Sequence, residues 1–293
     1  MRCGAKAWSR VVIMLLLSEL PSSTPHDAPK KQDATAYLTY TIPPKPLARK
    51  PRQVVPGFLD DPGTTVELSF GAEEIIHDVR GSESKFTLEE NGFCFVKHNT
   101  TFTDWDRKRK IEDHYCNREM VDLIFGVMGG KEKGVDEVII FHQGRRGADL
   151  AGKEANDGQR TNPFARQVHL DQTEPTIIAR VRSSTEIKAD WALQGRVRQV
   201  NVWRPLFHPV YDCGLCVADS KSLEEGDVVE IDRVKPDGSF FDTMGGVRWR
   251  EGYRWWYKSF MEPDDVLMFM GYDSECARKE KPGLGCELNP FLF

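Results

Sequence analysis

From Thr176 onward the chain keeps returning to short β-forming runs separated by turn residues, and this rhythm constrains the fold more than any other feature. Strands are expected over residues 177–181, 198–203, 228–234, 249–257 and 266–270, and only residues 184–193 interrupt them with helical spacing. Many short strands with turns between them are the pattern of a β-sandwich or barrel. Upstream, residues 36–42, 86–88 and 92–96 also read as strands. In the strand expected over residues 135–142, Val138-Ile139-Ile140-Phe141 is a continuous apolar run of the kind covered on both faces. The principal helix precedes that strand: Asp104 can cap it, and Ile111, Tyr115, Met120, Leu123 and Ile124 recur at helical spacing until Gly129-Gly130 ends it. Residues 144–165, rich in Gly, Asp, Asn and Lys, are expected to form a mobile loop, and loops of this kind commonly cover active sites.

That loop leads into Val168-His169-Leu170-Asp171. On an extended strand, side chains at i and i+2 leave the same face, so His169 and Asp171 converge while Val168 and Leu170 pack the other way. Imidazole with carboxylate suits non-haem Fe(II), whose set of two His and one carboxylate leaves coordination positions open. The pair supplies two of those three ligands. Taken alone, His-x-Asp is also an ordinary strand or surface pattern.

The surrounding residues give it a context. Residues 168–173, then Asn201-Val202-Trp203-Arg204-Pro205-Leu206 followed by Pro209-Val210, resemble the fungal hydroxylase/desaturase family of the AsaB type, which includes gibberellin-desaturase-like proteins. Val217-Ala218-Asp219-Ser220, Asp227-Val228-Val229, Trp256-Tyr257, Met261-Glu262-Pro263-Asp264-Asp265-Val266-Leu267 and Tyr272-Asp273-Ser274 follow in the family's order. Ala36-Tyr37-Leu38-Thr39-Tyr40, Asp78-Val79-Arg80 and Asn91-Gly92-Phe93 precede them, so the resemblance spans residues 35–275. With the strand pattern, it implies a mainly β fold with flanking helices, a double-stranded β-helix (jelly-roll, cupin-like) oxygenase core. It further implies Fe(II) and 2-oxoglutarate as cofactors and hydroxylation or desaturation of a small secondary metabolite.

One family element is missing. After the Tyr-Asp-Ser element, family members carry a Pro-His-Thr/Ser-Ala-Phe segment whose His resembles the third metal ligand, whereas this chain runs from Glu275 to Phe293 with no histidine after His208. Cys286, Glu287, His142 and His208 are the candidate replacements. The alternative is a catalytically impaired or metal-free member that keeps the fold as a small-molecule binding or structural protein.

Composition narrows the partners. The 293 residues carry 40 basic and 45 acidic side chains for a net charge of −5, without the concentrated basic face of a nucleic-acid binder. At the N-terminus, Arg2, Lys6 and Arg10 precede the apolar run Val11-Val12-Ile13-Met14-Leu15-Leu16-Leu17, and Pro21-Ser22-Ser23-Thr24 follows. This has the layout of a secretory leader, and the run is too short for a stable membrane span. Residues 1–35 are therefore expected to be a leader or disordered segment and residues 36–293 a single domain. The resemblance implies a cytoplasmic enzyme; a genuine leader would imply secretion. Seven scattered cysteines, an odd number, exclude a disulfide-dense scaffold.

A 2-oxoglutarate carboxylate calls for a cation, and arginine's planar fork suits it; Arg180, Arg182 and Arg204 are the candidates. Trp203 and Asn201 are candidate pocket residues, a strand amide between Val200 and Val202 needing partners if buried. Gln172 and Thr173 could orient the carboxylate that precedes them.

Overall fold

The computed structural model describes residues 9–19, 30–45, 49–55, 61–105, 118–133, 135–147, 161–162, 165, 167–183, 189–211, 214–275 and 291–292. Their backbone is mainly β: β1 Ser9–Glu19, β2 Ala34–Thr41, β3 Arg52–Val54, β4 Leu68–Asp78, β5 Phe93–Lys97, β6 Val135–Gly147, β7 Thr161–Asn162 and β8 His169–Leu170. The series continues with β9 Arg196–Pro205, β10 Cys216–Ala218, β11 Val228–Val234, β12 Phe240–Val247, β13 Trp255–Tyr257, β14 Asp265–Asp273 and β15 Phe291–Leu292. Four α-helices accompany them among the described residues: α1 Leu88–Asn91, α2 Val121–Val127, α3 Glu174–Ser183 and α4 Ala189–Gln194.

The strands make two sheets. One runs β5-β14-β9-β1-β6-β7, the other β2-β4-β13-β10-β15-β8-β12-β11-β3. Alternation along β9 and β14 shows how they meet. Trp203, Leu267 and Phe269 pack with Val217 and Trp256 of the opposite sheet, whereas Val200, Val202, Val266, Met268 and Met270 pack against Ile124 of α2. The first set fills the space between sheets and the second buries the outer face under a helix. Ile177, Val181 and Ala192 pack with Val197 and Tyr272 on the Trp203 face of β9, so helices cover parts of both faces of this sheet.

Several local expectations change. Residues 177–181 are helical: Ile177 and Val181, one turn apart, bury one face of α3, and the Thr173 carbonyl accepts from the amides of Thr176 (3.0 Å) and Ile177 (3.2 Å). Tertiary burial overrides the β-branched composition. Residues 86–88 are not a strand either, because Thr87 caps α1 by accepting from the Glu90 amide and Gly92, at φ 75°, ends it. Of the expected strand 249–257 only Trp255–Tyr257 pairs. The helix expected from Asp104 is described only as α2, since residues 106–117 lie outside the described residues, as do residues 148–160 of the expected loop.

The apolar N-terminal run forms the strand β1, parallel to both β6 and β9. Its backbone groups meet a ladder on each side, which satisfies donors and acceptors that burial would otherwise leave costly.

The short strand β8 is gripped by β12, where Gly245 lies opposite Leu170 and Gly246 opposite His169. A Cβ at Gly245 would come within 2.8 Å of Val228 Cγ1 and 2.9 Å of Leu170 Cδ1, and one at Gly246 within 2.8 Å of Ile231 Cδ1. Gly245→Ala and Gly246→Ala are each expected to lower the stability by about 1–3 kcal/mol through overpacking, read as a lower urea midpoint at unchanged slope.

Candidate active site

The pair His169 and Asp171 sits where the sheets face each other. Val168 and Leu170 are fully buried in the core that includes Leu38, Tyr40 and Trp255, while His169 and Asp171 both line a cavity of about 430 Å³. His169 Nε2 lies 3.7 Å from Asp171 Oδ1. The other ring nitrogen, Nδ1, is 2.6 Å from the Gln167 carbonyl. A carbonyl only accepts, so Nδ1 donates its proton there and Nε2 is the ring nitrogen that faces Asp171. Burial alone would push the Asp171 carboxyl up, but the His169 ring and the Arg146 and Arg233 guanidinium groups outweigh it and hold the carboxyl below its ordinary value.

Arg146 and Arg233 also line the cavity, with Thr39, Gln53 and Gln167 as further polar groups and Val55, Leu68, Ala165 and Met244 as apolar wall. Arg233 is braced from behind by Asp242, which accepts from its Nε and Nη2 at 2.5 Å. Neither arginine stands in a recognisable motif. Arg233 shares its strand face with buried Ile231, and that alternation was the one signal available in the sequence.

The arginines expected from sequence lie elsewhere. Arg204 leaves β9 on the face opposite Asn201 and Trp203, donates to the carbonyls of Pro263 (Nε, 3.1 Å) and His98 (Nη2, 3.2 Å), and lies 5.9 Å from the Trp105 ring. It braces the outer layer and does not line the cavity. Arg182 is exposed on α3. Arg180, on the same helix rather than on a strand, lies over Phe141 and 3.9 Å from Asp242.

Of the expected pocket residues, Asn201 is drawn into the site: its Nδ2 donates to Asp171 Oδ2 at 2.8 Å. Trp203 belongs to the core between the sheets. The Gln172 amide, oriented to suit its donors, accepts from Arg180 Nε (2.6 Å) and Nη2 (2.8 Å). Thr173 donates to Glu230 Oε2 at 2.7 Å and exchanges a 2.5 Å bond with Thr243. Both therefore tie the start of α3 to its surroundings, and Asn201 is the side chain that orients the carboxylate.

No third ligand joins the pair among the described residues. The one group of three His, Cys, Asp or Glu side chains there with ligand atoms near one another is Glu262, Asp264 and Asp265, and Lys97 Nζ already pairs with all three at 3.0, 2.8 and 3.0 Å. His142 has Asp171, Arg180, Arg146 and Arg233 as charged neighbours but is not part of such a group. His208 stacks with Tyr211 and contacts the Pro209 carbonyl, while Cys286 and Glu287 lie outside the described residues. The donor chemistry of the pair suits a ferrous ion at two positions.

A sequence-family profile described as "Oxidoreductase/YMDC permease-like domain" matches residues 38–283. The chain belongs to this family. It is 26% identical over 257 residues to the alpha-ketoglutarate-dependent dioxygenase phiK of a fungal species, a match covering 85% of this chain and 86% of that one. It is 29% identical over 229 residues to the hydroxylase/desaturase poxK of Penicillium oxalicum, covering 70% and 67% of the two chains. Among solved structures, the iron and alpha-ketoglutarate-dependent endoperoxidase NvfI superposes with a TM-score of 0.70 at 21% identity, covering 89% of each chain. The likeness establishes the fold as a jelly-roll, as the strand rhythm and the family resemblance implied. No helix among the described residues is long and apolar enough to cross a membrane.

Proposed function

We propose that the chain is an oxidoreductase of the hydroxylase/desaturase type that oxidises a small secondary metabolite with Fe(II), 2-oxoglutarate and O₂. The observation that carries this reading is the convergence of His169 Nε2 and Asp171 Oδ1 on a cavity that also holds two guanidinium groups. The activities named for phiK and poxK support it. His169 and Asp171 would hold the iron, and with 2-oxoglutarate bound the metal supplies the oxidant.

The protein's own tasks follow from the geometry. Gln167 holds the Nδ1–H of His169, which leaves Nε2 as the nitrogen facing the cavity, and Asp171 stays ionised and oriented. Arg233, immobilised by Asp242, can meet a carboxylate bidentately without first being ordered. Val55, Leu68 and Met244 give the substrate an apolar wall and exclude water around the reacting centre. A cytoplasmic location belongs to the same proposal, supported by the buried thiol of Cys94.

Arg233→Met is expected to raise the KM for 2-oxoglutarate by about tenfold or more, the worth of a charge-assisted pair, while leaving metal binding in place. Succinate release at graded 2-oxoglutarate measures it, and an unchanged KM would move the carboxylate clamp to Arg146. A metal-free binding module is the alternative reading. It forecasts no metal binding that depends on His169.

A further inference from the structure

We infer that a relay from Gly271 through Gln199 and Asn201 holds Asp171 as a one-oxygen ligand, and so sets how many metal positions stay open; this rests on His169 and Asp171 being the metal pair. Asp171 has two oxygens with different duties. Oδ2 accepts from Asn201 Nδ2 at 2.8 Å, and Oδ1 faces His169 Nε2. A carboxylate released from such a bond can turn and chelate with both oxygens, which would consume a position the co-substrate or O₂ needs.

The Asn201 amide cannot turn either. Its Oδ1 accepts from Gln199 Nε2, which commits its N–H end to Asp171; the flipped amide would set N–H against N–H. Gln199 and Asn201, two residues apart on β9, share one face, and both are 1% exposed. Two buried amides in succession on an inner strand face are costly unless their groups are paired, and here the pairing ends on the carboxylate.

The far end of the relay is a backbone irregularity. In the β14–β9 ladder Met270 lies opposite Val200 and Tyr272 opposite Gln199, so Gly271 is the extra residue of a β-bulge. A Cβ at 271 would overlap the Gln199 side-chain oxygen and stand 3.1 Å from its Cδ. Only glycine leaves the space in which Gln199 can lie along the strand and reach Asn201. Gly271 and Gln199 are therefore positioning residues that touch neither metal nor substrate.

Co(II) titrated into the full-length chain, followed by visible absorption and calorimetry, tests this without turnover. Wild-type binding should disappear in His169→Ala. Asn201→Leu should weaken Co(II) by about tenfold or more, as outer-sphere losses do, and change the d–d spectrum. Gly271→Ala should give the same altered spectrum, yet add nothing in a Gln199→Ala background, where the room already exists. Wild-type affinity and spectrum in folded Asn201→Leu would overturn the relay, as would an equal effect of Gly271→Ala in both backgrounds. Should Gly271→Ala fail to fold, Asn201→Leu and Gln199→Ala decide: matching altered spectra support the relay, unaltered ones refute it. Wild-type Co(II) binding that ignores His169 would refute the metal pair itself, and the relay with it.

Discussion

His169→Ala is expected to abolish Fe(II) binding and 2-oxoglutarate-coupled O₂ consumption together. With only two protein ligands identified among the described residues, removing the imidazole leaves one carboxylate, and the loss should exceed the roughly 10–100-fold that outer-sphere changes cost. Asp171→Asn should do as much while preserving shape, because it removes the charge that Arg146, Arg233 and the metal would share. Iron stoichiometry after desalting and succinate release are the two measurements. Retention of both activities in folded His169→Ala would place the metal elsewhere.

Deleting residues 1–19 is expected to have a still broader effect, the loss of cooperative folding. β1 pairs along its length with both β6 and β9, so its removal opens two edges in mid-sheet and unpairs every group that had bonded to it. Buried backbone groups without partners are costly, and two unprotected edges invite association. The shortened chain should show no sharp urea transition and should bind a hydrophobic dye, the marks of lost tertiary packing. A cooperative transition at the full-length midpoint would show that β1 contributes nothing to the sheet.

Much of this could be read from residue order, and the failures have identifiable causes. β9, β11 and β14 were visible because their β-branched and apolar runs are bounded by turns, and the His169–Asp171 pair because i, i+2 spacing survives wherever the backbone is extended. The same parity already placed Arg204 on the face opposite Asn201 and Trp203, and following it along β9 would have excluded Arg204 from the cavity. α3 was misread because its β-branched residues outweighed Pro175, tolerated in a first helical turn, and the four-residue spacing of Ile177 and Val181. The pairing of β1 is not legible in residue order, since a short apolar run carries no period. Arg146 and Arg233 reach the ligand pair only through tertiary closure, and a bulge glycine such as Gly271 becomes meaningful only when its neighbour across the ladder is known.

The position of β1 also has a history in time. It is synthesised before both of its partners, which start at Val135 in β6 and at Arg196 in β9, so it must wait while the intervening chain emerges. Contacts so distant in sequence close slowly, since loop entropy is spent before they reward it. Until then an apolar segment and two open strand edges wait in the same nascent chain, the condition under which aggregation competes with folding. Yield should therefore depend on elongation rate and chaperone supply more steeply than equilibrium stability alone suggests.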